Sequence, residues 1–436
     1  MIEHELPEGW EIKQLKELCD LFNGAAFKST DYVETVTDTL LIRMGNIRPN
    51  AKFDPLYKVT FLPNEYATQF ANYILRDGDL IIAMTDMATE TKILGIPTAV
   101  HVPKGKTLLL NQRVGKLIIK TPNELDCRYI QLYLTSTYAN NHYKNLGKGG
   151  VQINLGKSDI LSVSVILPKI NQQKQIVAKI EQLFGELDDS VNILQALKQQ
   201  VKVFRQSILK AAFNGKLTGS YVSDNALPAG WKTNTINDLP LKIIDGDRGK
   251  NYPKQSDFTT SGHCVFLNIK NVTTSGFDFT NVMFITESKD NQLRNGKLNR
   301  GDIVLTTRGT LGNTAYYGDI VDYHNLRINS GMVIIRVDSN QINQNFLCYF
   351  IKSVYFSEQV NKFKTGSAQP QLPINILNRF VVIIPNTIEE QNQIVTKIEK
   401  LFATCDELDQ TIDNALNQSQ LLRQSILKQA FSGKLI

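Results

Sequence analysis

The chain of 436 residues is too long for one compact core and is expected to form two or three domains. No apolar run approaches the ~20 residues that a membrane-spanning helix needs, and no basic and apolar leader opens the sequence, so a cytoplasmic protein is expected. The net charge of +6 is a mild basic bias. The five cysteines are scattered singly and the five histidines show no metal-ligand spacing, so neither disulfides nor a metal site are predicted.

Residues 1–166 are predicted to form a first globular part that mixes strands and helices. It opens on the segment LPEGW at residues 6–10. Short apolar runs at residues 80–84 and 116–119 predict strands, and residues 129–138 predict a helix.

Residues 167–219 are predicted to form a long helix. Apolar side chains follow a 4-3 spacing from Ile176 to Ile208. A repeat of 3.5 residues over this length is the signature of a coiled-coil seam. Gly215 stands where a glycine in the left-handed conformation would end the helix.

Residues 220–383 are predicted to form a second globular part with the same layout. LPAGW returns at residues 227–231, strands are predicted at 303–306 and 332–335, and a helix at 346–354. The strand and turn landmarks match those of the first part, whereas the loops between them differ.

Residues 384–436 are predicted to form a second long helix. Its 4-3 spacing runs from Ile394 to Ile426 in the register of the first helix. Thr387 and Glu390 form a T-x-x-E capping box, and a glycine again follows the last turn.

Two helical blocks return at an offset of 218 residues. RQSILK at residues 205–210 recurs at 423–428, and QIVAKIE at 175–181 recurs as QIVTKIE at 393–399. The chain is therefore two copies of a globular part followed by a helix. If the two apolar stripes pair, the second helix must run back along the first, and the pair is antiparallel.

The expected fold class is α+β, with two similar mixed α/β domains held apart by an antiparallel two-helix coiled coil. One domain at each end gives an approximate twofold axis across the middle of the coiled coil. The second helix would end near the first domain, so a circular arrangement is expected.

Motifs of catalysis are missing. We find no GxxxxGK[ST] phosphate loop, no [DN]PP[FYW] methyltransferase motif and no arguable Ser-His-Asp or Cys-His set. The tripeptide ExK occurs at residues 11–13 and 287–289, but neither follows a convincing strand with an upstream aspartate. No catalytic residue and no metal ligand is therefore assigned, and a binding protein is favoured over an enzyme.

These motifs together resemble the specificity subunit of Type I restriction–modification enzymes. The resemblance covers essentially the whole chain and rests on the two LPxGW openings, the two QIVxKIE…RQSILK helical regions and GSAQPQL at residues 366–372. The first copy departs from the last motif and reads GKGGVQI at residues 147–153, so only Gln152 is carried over, onto the place of Gln371.

The resemblance implies a function in DNA recognition. Residues 1–166 and 220–383 would be target-recognition domains, each reading one half of a bipartite, gapped site on double-stranded DNA. Residues 167–219 and 384–436 would set the spacer and dock two methyltransferase subunits, after which endonuclease/translocase subunits join. S-adenosylmethionine, ATP and Mg²⁺ would be held by those partner subunits, and this chain would hold no cofactor.

Base reading requires side chains rich in donors, chiefly Arg or Lys for guanine and Asn or Gln for adenine. Such side chains on predicted loops are the DNA-binding candidates. In the first domain they are Arg43, Lys92, Gln112, Arg113, Lys148 and Gln152, and in the second they are Arg248, Lys270, Arg308, Arg327, Lys364, Gln369 and Gln371. Arg308 is favoured because it comes directly after a strand and is followed by Gly309 and Gly312. A phosphate contact is the alternative for any one of them.

Three other functions remain open at the level of the sequence. The chain could serve a methylation-only or Type IIB-like system, in which the specificity subunit would look the same. It could be a nuclease with an unrecognised site, or a coiled-coil scaffold whose domains read nothing. Cleavage of DNA by the purified chain with Mg²⁺ would identify the nuclease, and sequence-selective binding would exclude the scaffold.

Overall fold

The computed structural model describes residues 6–87, 92–146, 152–223, 226–366 and 370–436. By its contacts the chain divides into two units. The first comprises residues 1–194 and 414–436, and the second comprises residues 195–413. Each unit therefore contains a globular part and a portion of both long helices. In the described ranges, no helix is long and apolar enough to cross a membrane.

The first globular part consists of short strands and helices. Its strands are β1 (Glu11–Gln14), β2 (Cys19–Asn23), β3 (Thr39–Ile42), β4 (Ile47–Arg48), β5 (Lys52–Phe53), β6 (Phe61–Leu62), β7 (Ile74–Leu75), β8 (Leu80–Ala83), β9 (Thr85–Met87), β10 (Pro97–Ala99), β11 (Thr107–Leu110), β12 (Val114–Ile119), β13 (Gln152–Asn154) and β14 (Ser164–Leu167). Its helices are α1 (Leu15–Leu18), α2 (Tyr66–Gln69), α3 (Cys127–Leu134), α4 (Thr137–Leu146) and α5 (Lys157–Leu161), and the long helix α6 (Ile170–Phe213) follows.

The second globular part has a similar series. Its strands are β15 (Trp231–Thr235), β16 (Leu241–Asp245), β17 (Cys264–Leu267), β18 (Val272–Thr273), β19 (Gly276–Phe277), β20 (Phe284–Ile285), β21 (Ile303–Thr306), β22 (Thr314–Tyr316), β23 (Leu326–Ile328), β24 (Met332–Val337) and β25 (Val381–Pro385). Its helices are α7 (Glu287–Gln292), α8 (Gln344–Ile351), α9 (Val354–Phe363) and α10 (Ile374–Leu377), and the long helix α11 (Ile388–Phe431) follows.

The two globular parts share one topology. An antiparallel sheet has the strand order β10-β8-β12-β2 in the first and β22-β21-β24-β16 in the second. A second sheet has β3 parallel to β11 with β6 outside β3, and likewise β17 parallel to β23 with β20 outside β17. The pairs β1–β14 and β15–β25 also correspond. The predicted duplication of a mixed α/β domain is confirmed.

Two predicted helices are each interrupted in the structure. Around residues 129–138 the chain forms α3 and α4, and around 346–354 it forms α8 and α9. The hydroxyl of Thr135 donates to the carbonyl of Gln131 (2.8 Å), and that of Ser353 donates to the carbonyl of Phe350 (2.6 Å). Hydroxyls that bond to the preceding turn compete with the helix backbone. Both interruptions lie at such a residue.

The two long helices have 44 residues each, which corresponds to about 66 Å at ~1.5 Å per residue. Their apolar stripe is fully buried near the start of each helix, at Ile176 and Ile180 and at Ile394 and Ile398. Other positions of the stripe, Leu197, Phe204, Leu408 and Leu422, are more than 40% exposed. The predicted seam is therefore buried over only part of its length.

Each globular part holds the end of one long helix through an aromatic cluster. In the first unit the ring of Phe431 packs edge-on against Tyr129 (5.4 Å) and Tyr133 (4.9 Å). In the second unit the ring of Phe213 packs edge-on against Phe346 (5.3 Å) and Phe350 (5.2 Å). Phe213 and Phe431 are both fully buried, so each anchors a helix end to its domain.

The two LPxGW motifs pack against the ends of the same helices. Gly433 has a φ of +71°, and a Cβ placed there would lie 2.2 Å from Cγ of Pro7. Gly215 has a φ of +81°, and its Cβ would lie 2.9 Å from Cβ of Pro228. Both the backbone conformation and the close approach require glycine. The predicted helix-ending glycines are confirmed.

An arginine joins the two long helices in each unit. In the first unit Arg423 pairs with Asp188 and lies over the ring of Phe184 (4.5 Å). In the second unit Arg205 pairs with Asp406 (2.7 Å). Arg205 also lies over the ring of Phe402 (5.3 Å), which corresponds to Phe184 at the same offset of 218 residues. Both arginines are therefore interhelical contacts.

Ion pairs show the direction of the helices within the second unit. Lys198 pairs with Asp413, and Arg205, seven residues further along α6, pairs with Asp406, seven residues earlier on α11. The two helix segments of this unit therefore run antiparallel, as predicted.

The predicted capping box at the start of α11 is only half formed. The amide of Glu390 is bonded to the hydroxyl of Thr387 (3.3 Å). The carboxylate of Glu390 instead accepts from Nε1 of Trp231 (2.9 Å), Oγ of Ser220 (2.5 Å) and Oγ1 of Thr218 (2.8 Å). Burial raises the pKa of Glu390, but these three hydrogen bonds outweigh it and hold the pKa below the ordinary value.

Candidate nucleic-acid interface

In the first unit, the carboxyl ends of two parallel strands meet at one edge of a sheet. β3 runs parallel to β11, and the amide of Asn111 donates to the carbonyl of Ile42 (3.1 Å). Arg43 follows β3, and Gln112 and Arg113 follow β11. Because parallel strands end on the same side, these three candidates lie at the same edge. We call it the first edge.

A two-stranded ladder adds further polar side chains to the first edge. The amide of Met84, directly before β9, donates to the carbonyl of Arg113 (3.1 Å), and β9 pairs with β13. Nη1 of Arg113 donates to Oε1 of Gln152 (3.1 Å). The hydroxyl of Thr85 donates to Oδ1 of Asn154 (2.9 Å). The structure thus brings Arg113 and Gln152 into contact.

The other candidates of the first domain have different surroundings. The guanidinium of Arg43 lies 5.9 Å from the centre of the Tyr32 ring. Lys92 is exposed and directly precedes Ile93, whose amide donates to the carboxylate of Asp86 (2.7 Å). Lys148 lies outside the described residues.

The second unit has a corresponding edge. β17 runs parallel to β23, and the amide of Asn329 donates to the carbonyl of Leu267 (3.1 Å). Lys270 follows β17 and is exposed. We call this edge, with the loop of residues 329–331 at its centre, the second edge.

Two arginines reach the loop at the second edge. The amide of Arg308 donates to the carbonyl of Gly331 (3.2 Å). Nη2 of Arg248 donates to the carbonyl of Ser330 (3.3 Å) and pairs with Asp245 (3.0 Å). Arg308 is half-buried, and its guanidinium has no bonded partner within residues 226–366 and 370–436.

Gln371 and Lys364 lie beside Arg308. Gln371 forms a β-bridge with Arg308 and exchanges backbone hydrogen bonds with Thr365 (2.8 and 2.9 Å). Lys364 directly precedes Thr365, and both Lys364 and Gln371 are exposed. Gln369 lies outside the described residues.

The placement of Arg327 corrects the sequence prediction. Its side chain is only 4% exposed and donates to Oδ1 of Asp290 (2.7 Å) and to the carbonyl of Asn295 (2.6 Å). Asp290, whose side chain is fully buried, also pairs with Lys297 (2.5 Å). Burial raises the pKa of Asp290, but the hydrogen bonds from Lys297 and Arg327 outweigh it and hold the pKa below the ordinary value. Arg327 is a core ion pair and not a surface contact.

A second correction concerns which residues of the two domains are equivalent. The amide of Leu155 donates to the carbonyl of Met84 (2.8 Å), and the amide of Leu372 donates to that of Thr307 (2.8 Å). Leu155 therefore corresponds to Leu372, and the preceding residue, Asn154, takes the place of Gln371. Gln152 therefore does not occupy the place of Gln371. The sequence comparison was out of register by two residues here.

Asp247 fixes the loop that carries Arg248. Its carboxylate accepts from the amides of Gly249 (2.7 Å), Arg294 (2.7 Å) and Asn295 (3.4 Å). Burial raises the pKa of Asp247, but these amide bonds outweigh it, so its pKa lies below the ordinary value. The loop is therefore held by an ionised carboxylate.

Both edges depend on a glycine that sequence reasoning missed. A Cβ at Gly24 would lie 2.3 Å from the carbonyl oxygen of Asn111, and a Cβ at Gly246 would lie 2.2 Å from that of Asn329. Any side chain would push the edge loop away. The signal in the sequence is weak: an Asn-Gly and an Asp-Gly pair directly after an apolar run.

The long helices expose large apolar side chains at equivalent positions. Val203 and Phe204 are 69% and 49% exposed, and Leu421 and Leu422, at the same offset of 218 residues, are 72% and 50% exposed. Exposed apolar side chains that recur in both copies are typical of an interaction surface. We call these the two helix patches.

In the described part of the chain, no group of three or more His, Cys, Asp or Glu side chains could hold a metal ion. The side chains gathered at the two edges are chiefly guanidinium, ammonium and amide groups. These groups donate hydrogen bonds to base edges and phosphates.

Comparisons with known proteins agree with this chemistry. The sequence pattern of the family described as Type I restriction modification DNA specificity domain matches residues 7–202 and 228–418. The chain is 25% identical over 438 residues to the Type I restriction enzyme EcoKI specificity subunit of Escherichia coli (strain K12), covering 99% of this chain and 90% of that protein. It is also 25% identical over 443 residues to the StySPI specificity subunit of Salmonella potsdam, with the same coverage.

Two solved structures share the fold. A chain from a study of complex assembly and conformational transition of the type I R-M system superimposes with a TM-score of 0.68 at 17% identity, covering 99% of this chain and 100% of that chain. The HsdS subunit from Thermoanaerobacter tengcongensis superimposes with a TM-score of 0.52 at 17% identity, covering 99% of both chains.

Proposed function

Because this chain belongs to the family of Type I restriction modification DNA specificity domains, we propose that it is the DNA-recognition subunit of a Type I restriction–modification complex. Each globular part reads one half of a bipartite, gapped target on double-stranded DNA. The observation that carries this proposal is the pair of equivalent edges, which share their strands and glycines but differ in their polar side chains. Two readers built on one fold and carrying different side chains are suited to two different half-sites.

The edges have the chemistry that base reading needs. Arg308 and Gln371 at the second edge, and Gln112 at the first, have side chains without a bonded partner in the described part of the chain. Each donor-rich side chain can pair with a base edge in the major groove or with a phosphate. Arg248 and Arg113 already bond to the protein, so they would position their loops or touch phosphates.

The reactions of the complex are assigned to partner subunits. A methyltransferase subunit would hold S-adenosylmethionine and flip the target base from the stack, and an endonuclease/translocase subunit would use ATP and Mg²⁺. The chain itself would be non-catalytic, and the complex would work in the cytoplasm.

The two helix patches are the proposed docking sites of the methyltransferase subunits. Val203 with Phe204, and Leu421 with Leu422, would each bury apolar surface against one subunit. Because the patches are equivalent, two methyltransferase subunits are expected per chain. Changing Phe204 to Asp should remove one subunit, and changing both Phe204 and Leu422 to Asp should remove both. Native mass spectrometry measures the stoichiometry, and Gln199→Asp, at an exposed position of the same helix, is the control that introduces the same charge.

The experiment that tests the proposed function is methylation mapping. The chain is co-expressed with the methyltransferase subunit of its own system, and single-molecule sequencing reports the methylated motif. The expected result is a gapped motif with one methylated adenine on each strand. Exchanging residues 226–383 for the corresponding domain of a relative should change one half of the motif and leave the other half intact. A continuous motif, or a change in both halves, would contradict the proposal.

A further inference from the structure

We propose that equivalent backbone-paired positions select one base pair in each half-site. The selecting residues are Asn154 in the first unit and Arg308 with Gln371 in the second. The inference rests on the proposed function and names residues for it. Asn154 would favour an adenine, and Arg308 would favour a guanine.

The position is defined by backbone pairing. Asn154 lies opposite Thr85 in the β9–β13 ladder, and Gln371 forms a bridge with Arg308. The residue after Asn154 or Gln371 is a buried leucine in both units. The amide of Leu155 donates to the carbonyl of Met84, and the amide of Leu372 donates to the carbonyl of Thr307 (2.8 Å in each). The two pairs are therefore equivalent, although one is Thr with Asn and the other Arg with Gln.

In the first unit, a buried hydroxyl orients an exposed amide. Thr85 is only 3% exposed, whereas Asn154 is exposed. The Thr85 hydroxyl donates to Oδ1 of Asn154 (2.9 Å), which fixes that oxygen towards the protein. Nδ2 of Asn154, with two donors, and the second lone pair of Oδ1 remain available. A donor beside an acceptor matches N7 and the N6 amino group of adenine. Thr85 is accordingly a positioning residue.

In the second unit, the backbone of the arginine is fixed while its guanidinium is free. The amide of Arg308 donates to the carbonyl of Gly331 (3.2 Å), and the amide of Gly309 donates to that of Pro370 (3.1 Å). The Arg308 guanidinium has no bonded partner in the described ranges 226–366 and 370–436. A guanidinium presented from this hydrogen-bonded β-bridge matches O6 and N7 of guanine, and Gln371 beside it can contact the neighbouring base.

The test uses the complex of this chain with its methyltransferase subunits. Binding is measured to duplexes that carry the mapped motif with single base pairs changed. For Arg308→Gln, discrimination at one position of the second half-site should fall roughly 5- to 150-fold, the range expected for one lost bidentate pair. Asn154→Leu should do the same at one position of the first half-site. In each case the other half-site should be read as before.

Matched variants separate base reading from other effects. Lys232→Gln removes one positive charge from β15, which is not part of the second edge, and should leave discrimination unchanged. Thr85→Val should weaken discrimination in the first half-site, and Thr85→Ser, which keeps the hydroxyl, should restore it. Thermal melting of each variant checks folding.

Three outcomes would overturn the inference. The first is that Arg308→Gln weakens binding to every duplex equally and lowers the salt slope by about one, which identifies a phosphate contact. The second is unchanged discrimination in folded Arg308→Gln and Asn154→Leu proteins. The third is an affected position that holds neither guanine nor adenine. A wild-type complex that selects no gapped duplex would instead contradict the proposed function itself.

Discussion

Replacing Arg327 with methionine should destabilise the second unit strongly while leaving DNA selectivity intact. The change removes the guanidinium from a buried ion pair with Asp290 but keeps most of the side-chain volume. Asp290 then keeps Lys297 at 2.5 Å, whose side chain is 43% exposed, and His263 at 3.7 Å, which carries a charge only when it is protonated. The fully buried carboxylate of Asp290 then has less positive charge and fewer hydrogen-bond donors to offset the cost of its burial.

The magnitude follows from the contacts that are lost. Arg327 donates to Oδ1 of Asp290 (2.7 Å) and to the carbonyls of Asn295 (2.6 Å) and Asp290 (3.0 Å). Breaking a buried ion pair from one side costs about 3–5 kcal/mol. Because Lys297 remains, the lower end of that range, about 3 kcal/mol, is expected. Substituting both residues, as Asp290→Leu with Arg327→Met, should recover part of the loss since no buried charge remains.

The loss should depend on pH. In the wild type the pKa of Asp290 lies below its unfolded value, so this group stabilises the fold above the unfolded pKa and ceases to do so as the pH falls through the folded pKa. Without Arg327, its hydrogen bond and its charge no longer lower the pKa of Asp290, so the folded pKa is expected to rise. The difference between variant and wild type should therefore shrink as the pH falls through the raised folded pKa of the variant, because protonation removes the uncompensated charge, whereas the unfolded chain is common to both proteins and cancels.

The assay uses the two tryptophans of the chain, one in each unit. In a Trp10→Phe background, the fluorescence of Trp231 reports unfolding of the second unit in urea. Lys242→Met is the control, because Lys242 pairs with Asp338 at the surface with 72% of its side chain exposed, and its loss should cost under about 1 kcal/mol. A loss for Arg327→Met that is no larger than the control, or that is constant with pH, would refute the reasoning.

Three further predictions concern the long helices. Phe431→Ala should lower the free energy of unfolding of the first unit, and Phe213→Ala that of the second, by about 3–5 kcal/mol each, as measured by the same urea titration with Trp10 or Trp231 alone; a loss in the unit that does not hold the ring would contradict the anchoring. Arg205→Ala should cost only about 1 kcal/mol or less, because the pair with Asp406 is partly exposed, and a loss as large as that of the phenylalanine variants would show a larger role. One heptad inserted into both α6 and α11 lengthens each helix by about 10 Å, which equals about three base pairs of DNA. If the helices set the spacer of the target, methylation mapping should report a correspondingly longer spacer. An unchanged spacer would show that the helices do not set it.

The long helices and the duplication could be predicted because the apolar spacing and the repeated motifs extend over many consecutive residues of the sequence. A 4-3 spacing extends over most of each 44-residue helix, and each helix-ending glycine, which has a positive φ, lies directly after the last turn. The interruptions at Thr135 and Ser353 were missed because each break spans only two residues. A pattern averaged over about ten residues does not register so short a break.

The site was harder to predict because its geometry comes from distant pairings. Arg327 looked like a loop residue, yet it lies in β23 between two buried residues and bonds to Asp290, 37 residues earlier. Asn154 was overlooked because glutamine was matched to glutamine. Only the ladder with β9 shows that Asn154 occupies the place of Gln371.

The comparison between the two halves also separates positions that hold the fold from positions that read DNA. Gln173 and Gln391 are equivalent, identical and buried. Their side-chain oxygens accept hydrogen bonds from the amides of Asp126 and Asn343, which precede α3 and α8 (2.8 Å in both). Phe213 and Phe431 are likewise identical, and each anchors a helix end. Identity between the copies therefore marks what both units need in order to fold. A residue that reads a half-site must lie where equivalent positions differ, because identical readers would select identical half-sites.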